Sequence, residues 1–274
     1  MTRFALLTAL WLLTLIANTR PAFADTEITI GVYNFPPIAG MDGDRVTGLL
    51  GDLLETLEAV HPGVHFKPVY TSPRRRYLDY QEGLFDVMFF ESGDWEWRKR
   101  GALVSRPILM DEEFYVALKK PGRDLSFFDD IADRHILAMA GYHYGFAGLE
   151  ADDRELRKRF HIEFSDSQQR NLKLIKADRP SVAEVAIMSQ SFLRGHLAKS
   201  PKDWDKLLIS DRPDQTYKLG IVTRPNGPVT ADDMINLLEP LIDNGQYRLL
   251  VEKWNLRLPP GFFASFADDR AGAE

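Results

Sequence analysis

The apolar pattern of this chain switches repeatedly between a two-residue and a helical period, and this alternation limits its possible folds more than any other feature. Residues 27–32 (EITIGV) alternate and are rich in β-branched side chains, which reads as a strand. Leu49, Leu50, Leu53, Leu54, Leu57 and Val60 then recur at helical spacing, with Thr47 placed to cap the start and Pro62-Gly63 to stop the helix. Residues 64–70 return to strand, residues 74–82 read as a short helix closed by Gly83, and residues 86–90 (DVMFF) read as a buried strand. Strands that alternate with helices in this way predict a mostly parallel sheet with helices on its faces.

The pattern then repeats. Strands are expected at residues 114–118, 136–140 (ILAMA), 162–164, 185–188 (VAIM) and from Lys218 onward (KLGIVTR). Helices are expected at 127–133, 150–160, 168–177, from 189 through Leu197, at 231–243 and at 247–254. Pro240 should bend the 231–243 helix near its end, and the tail after Pro259 carries no clear pattern. No Gly/Ser-rich linker separates the two α/β units, so they are expected to be lobes joined by crossing strands.

The first 24 residues have a different character. Arg3 precedes an apolar run over residues 4–17, and Pro21-Ala22-Phe23-Ala24 sets small residues at the two positions a signal peptidase reads. The run is shorter than the ~20 residues of a spanning helix, so residues 1–24 read as a signal peptide cleaved after Ala24, and the rest as a periplasmic protein. That segment carries Arg3 and Arg20 and no acid, so its removal takes the net charge from −6 to −8. An acidic chain without a Lys/Arg block argues against nucleic acid as a partner. The absence of cysteine excludes disulfides, thiolate metal sites and cysteine nucleophiles. His61 and His65 are four apart, but Pro62-Gly63 lies between them, so no metal site is expected there.

Several segments, taken in order, resemble the periplasmic solute-binding proteins of polar amino-acid uptake, which have the type II binding-protein fold. They are ITIGVYNFPP, Gly48-Leu49 opening the first helix, LDYQEGLFDV with Gly83 and Asp86, and Arg98 twelve residues past Asp86. SRPIL from Ser105, ILAMAGYHYG, KLGIVTR and NGQYRLLVEKW complete the set, which covers residues 28–254. The resemblance implies two α/β lobes, the first from residues 25–110 and 219–274 and the second, residues 111–218, inserted into it. It also implies a ligand held in the cleft and buried by hinge closure.

The same resemblance nominates the site. Arg98 stands where the family's arginine takes a ligand carboxylate, a task suited to the planar guanidinium fork. Tyr33 and Phe35 stand at an aromatic lid, with local packing beside Pro36-Pro37 as the competing role. Of Trp95 and Trp97, which flank the Arg98 segment, we assign Trp95 to the cleft. Gly141-Tyr142-His143 stands where backbone amides and a hydroxyl grip the carboxylate; Tyr142 is the expected donor, and His143 is either a second donor or merely solvated. In the Arg74-Arg75-Arg76 run, basic charge at a helix start implies an acidic partner, and Arg75 is the chosen contact. Two positions depart from the family pattern. Glu91 replaces a hydroxyl residue beside Arg98, and Ser189 stands where an aspartate usually holds the ligand ammonium. Glu91 should therefore pair with the arginine or bind a positive group of the ligand.

The function these residues imply is capture of a small polar, amino-acid-like solute by a monomer, without a cofactor, for delivery to an inner-membrane permease. A periplasmic sensor on the same fold is the alternative. Catalysis of a lyase type is a third possibility, with Glu91 as the acid or base, but the sequence has no nucleophile–base pair, zinc signature or phosphate loop.

Overall fold

The computed structural model describes residues 26–271, so the proposed signal peptide lies outside the described residues. β1 (Thr26–Val32) leads through a hairpin of β2 (Gly40–Asp42) and β3 (Arg45–Thr47) into α1 (Gly48–Val60). β4 (Val64–Tyr70), α2 (Arg76–Gln81), β5 (Val87–Ser92) and the two-residue β6 (Leu103–Val104) follow. The long β7 (Leu109–Leu118) carries the chain to β8 (Ile136–Met139), α3 (Asp153–Arg159), β9 (Ile162–Ser165), α4 (Gln168–Lys176), β10 (Val185–Ser189) and α5 (Gln190–Lys199). A second long strand, β11 (Leu207–Thr223), brings it back to α6 (Ala231–Asp243), α7 (Gln246–Lys253) and α8 (Phe262–Ala271).

The strands run in the order β4-β1-β5-β11-β7-β10-β8-β9, with β6 on the side of β11. β4, β1 and β5 are mutually parallel, as are β10, β8 and β9. The joins between these groups, β5 to β11, β11 to β7 and β7 to β10, are all antiparallel. The result is a two-lobed α/β fold, with a parallel half-sheet in each lobe and the two long strands running between them.

Helix burial follows the sequence pattern. α1 buries Leu49, Leu50, Leu53, Leu54 and Leu57, each contributing about 1.5–3 kcal/mol by leaving water. α6 opens with a capping box between Thr230 and Asp233 and buries Met234, Ile235, Leu237, Leu238, Leu241 and Ile242. The chain end returns to the β1 lobe: Asp52 of α1 accepts from both Lys253 Nζ and Trp254 Nε1 at 2.7 Å. Tyr247 donates to the Ile108 carbonyl at 2.9 Å.

Three local expectations are corrected. Residues 127–133 form no single helix; two 3₁₀ turns, Leu125–Phe128 and Ile131–Asp133, stand there, the first capped by Asp124. The tail is ordered as α8, because Phe262 and Phe266, one turn apart, are both buried. Both long strands begin earlier than their apolar alternation, since β7 and β11 pair along charged stretches where they cross between the lobes.

Candidate functional site

Where the lobes meet, the loops after β1, β5 and β8 bring aromatic side chains together. Phe35 is central, with ring centroids 6.3 Å from Trp95, 5.5 Å from Tyr142 and 6.0 Å from Tyr217. Tyr33 stacks on it at 5.8 Å, and Trp95 stacks on His143, also at 5.8 Å. Trp95 meets the Tyr217 ring edge-on at 5.0 Å. Tyr33, Arg76, Trp95, Tyr142 and His143 enclose a cavity of about 10 Å³, roughly the space of a single water. As it stands, this cavity has no room for a solute larger than water.

Arg76 forms one wall and is only 1% exposed. Its Nε lies 3.3 Å from Glu91 Oε2, which also accepts from Trp97 Nε1 at 2.6 Å. Its other nitrogens donate to the carbonyls of Pro73 (2.6 Å) and Gly141 (3.3 Å) and to the Tyr77 hydroxyl (2.8 Å). The guanidinium also lies 5.1 Å from the Tyr33 ring centroid. Glu91 reaches it because β5 carries a bulge: Phe90 takes a φ of 62°, and the register against β11 shifts between Gly220 and Ile221. Bulges re-aim side chains in this way. Burial lifts the Glu91 carboxyl above its ordinary value, while Arg76 and Trp97 oppose that lift.

Several contacts tie the lobes directly. The Tyr77 hydroxyl meets His143 Nε2 at 2.8 Å, Tyr142 donates to the Asn34 carbonyl at 3.1 Å, and Arg74 pairs with Asp153. Gly141 makes the approach possible: its φ is +71°, and a Cβ there would sit 2.9 Å from the Arg74 nitrogen and 3.0 Å from the Pro73 carbonyl carbon. Burial and the nearby Arg76 push His143 down to about 4, so it is neutral near pH 7.

The structure thus brings together Tyr33, Phe35, Trp95, Tyr142 and His143, with Glu91 reaching the cluster through Arg76. It does not bring in Arg98, Arg75 or Ser189. Arg98 is exposed and pairs with Asp94 at 3.3 Å. The turn at Gly93–Trp97, where Glu96 takes a φ of 64°, points both tryptophans inward and sends Arg98 to the surface. Glu91 accordingly pairs with Arg76 and not with Arg98. Arg75 is exposed against Asp79 of its own helix, and Ser189 caps α5 while bonding Gln168 and Ser191. Sequence reasoning chose Arg75 over Arg76 and did not single out Tyr217, which packs on Phe35 and Trp95. The signal for Arg76 was its place beside Tyr77 and Tyr80, the inward side of α2.

No protein-family model and no curated protein matches the sequence, but solved structures match its fold. One is an ABC uptake transporter substrate binding protein from Streptococcus pneumoniae with bound histidine, at 17% identity and a TM-score of 0.65, covering 83% of this chain and 92% of that one. Another is a histidine kinase sensor domain with similarity to periplasmic binding proteins, at 16% identity and 0.65, covering 86% and 99%. A third is an ancestral amino acid-binding protein, a precursor of cyclohexadienyl dehydratase, at 18% and 0.61, covering 83% and 95%. The chain has the type II periplasmic-binding-protein-like fold.

Proposed function

We propose that the protein captures a small polar, amino-acid-like solute between its lobes in the periplasm and presents the closed form to an inner-membrane permease. The observation that carries this reading is the aromatic chamber around Arg76, built from both lobes and sealed by side chains of each. Such a site is assembled by closure, and the solute takes part of the place now held by direct contacts between the lobes. The lobe boundaries we infer are near Met110 and Lys218, on the two strands that cross. The amino-acid ligand of the Streptococcus pneumoniae protein agrees with this class of solute.

We read the site as binding rather than catalytic, because Glu91, the acid nominated for proton transfer, is committed to Arg76 and Trp97. The likeness to a sensor domain gives a second reading, in which the closed form docks on a signalling protein. Thermal-shift screening of the protein from Asp25 onward against amino acids, polyamines, organic acids and short peptides tests the common core of both readings. At a hundred times its Kd a specific ligand adds about 2.7 kcal/mol of stability. A stabilising solute is expected, and a panel that shifts nothing would contradict the proposal.

A further inference from the structure

The arginines that line the chamber and the cleft beside it are each matched by a carboxylate of the protein itself. In the chamber, Arg76 faces Glu91. In the adjoining cleft, Arg74 pairs with Asp153, Arg100 with Glu96, Arg154 with Asp152 and Arg157 with Glu163. All three guanidinium nitrogens of Arg76 are engaged: Nε by Glu91, Nη1 by the Pro73 and Gly141 carbonyls, and Nη2 by the Tyr77 hydroxyl. A bound carboxylate needs two adjacent N–H groups for a fork, and Arg76 has no such pair free. The Gly141 amide is taken as well, donating to Asp153 Oδ1 at 3.2 Å. Glu91, Pro73 and Tyr77 share a lobe with Arg76, and Asp153 shares one with Gly141, so these contacts do not depend on how the lobes meet.

The contacts that a solute between the lobes would replace are of another kind. Tyr142 donates to the Asn34 carbonyl, and Arg76 Nη1 donates to the Gly141 carbonyl. Together they comprise two donors and two carbonyl acceptors. A primary amide carries the matching set, with an NH₂ that donates twice and an oxygen that accepts twice. A carboxylate only accepts. It would leave both carbonyls unpaired, which is costly for buried groups, and would meet Glu91 with no open cation to offset the repulsion. Phe35, Trp95 and Tyr217 supply an aromatic wall for the rest of the solute.

We infer that the solute is held by an uncharged, amide-type group on a flat or apolar body, and that Glu91 and Asp153 turn a free carboxylate away. This rests on the binding reading above and narrows it to solutes without a free carboxylate.

The test is calorimetric titration of matched pairs into the protein from Asp25 onward: L-phenylalaninamide against L-phenylalanine, N-acetyl-L-tyrosinamide against N-acetyl-L-tyrosine, and nicotinamide against nicotinate. The best stabiliser from the wider panel is run in the same way, against its amide if it is an acid. The expected result is that the amide of a pair binds at least about tenfold more tightly than the acid. Glu91→Gln, shown by a thermal melt to be folded, should shrink that preference at least about tenfold by leaving Arg76 open to an anion. If that variant does not fold, Asp153→Ala, which frees the Gly141 amide, serves in its place with the same expected direction. An acid that binds as well as or better than its amide would overturn this inference and leave the solute-binding reading standing. So would a polyamine as the best stabiliser, or a preference that the folded variant leaves unchanged. Binding of none of the solutes in the pairs or the wider panel would overturn both.

Discussion

Arg76 and Glu91 are both almost wholly buried, and each leaves water at a cost that their mutual attraction and their hydrogen bonds to Pro73, Tyr77 and Trp97 offset. Removing one member of such a pair is worse than removing both. Glu91→Gln should destabilise the protein by about 3–5 kcal/mol in a denaturant melt, whereas Arg76→Met with Glu91→Leu should cost less. A single variant as stable as wild type would show that the pair does not form. Arg98 gives the contrast: it is exposed and paired only with exposed Asp94. Arg98→Ala should therefore change stability by no more than about 0.5 kcal/mol and leave solute affinity unaltered, and a large loss of affinity would return this arginine to the site. The Arg98 expectation rests on spacing along the chain, and spacing does not report the positive φ at Glu96 that reverses the turn.

At the scale of elements, the loop after β8 decides whether the lobes can meet. Gly141→Ala should disfavour closure, because the new methyl group strikes the Pro73-Arg74 backbone and the left-handed φ strains any larger residue. The expected outcome is at least tenfold weaker solute binding, seen by titration, with little change in the melting of either half-sheet. Unchanged affinity would mean that the loop yields easily. α8 makes the complementary point about the chain end. Phe266 is 2% exposed beneath Arg106, whose guanidinium carbon lies 3.4 Å from the ring centroid, so Phe266→Ala should cost about 3 kcal/mol in a thermal melt. The parallel half-sheets were legible because buried strands such as DVMFF and ILAMA, and the Leu stripe of α1, carry their own period. α8 was not, because its burial comes from a surface supplied by distant parts of the chain. The aromatic members of the site, Tyr33, Phe35, Trp95 and Tyr142, sit in loops marked by composition. Tyr217 lies inside a long strand, where sequence gives no sign of what it faces.

For the whole molecule, the buried acids and His143 make stability depend on pH in opposite senses. His143 titrates at about 4 in the folded chain, below its ordinary 6.5, so its contribution is present above pH 6.5 and is lost as the pH falls towards 4. Glu113 is raised from 4.5 to about 8, so its contribution is full below pH 4.5 and is lost as the pH rises through 8. Glu113→Gln should thus gain on wild type between pH 4.5 and 8, by up to about 1.4 kcal/mol per pH unit. Parallel stability curves would show that the acid is solvated. Closure itself is tested most directly by calorimetric titration of the solute that stabilises wild type best into wild type, Trp95→Ala and Trp204→Ala. Trp95 lines the chamber, whereas Trp204 is 63% exposed on a surface turn. The predicted result is binding that weakens at least tenfold in Trp95→Ala and is unchanged in Trp204→Ala. Equal affinity for all three proteins would place the ligand outside the chamber and contradict the account.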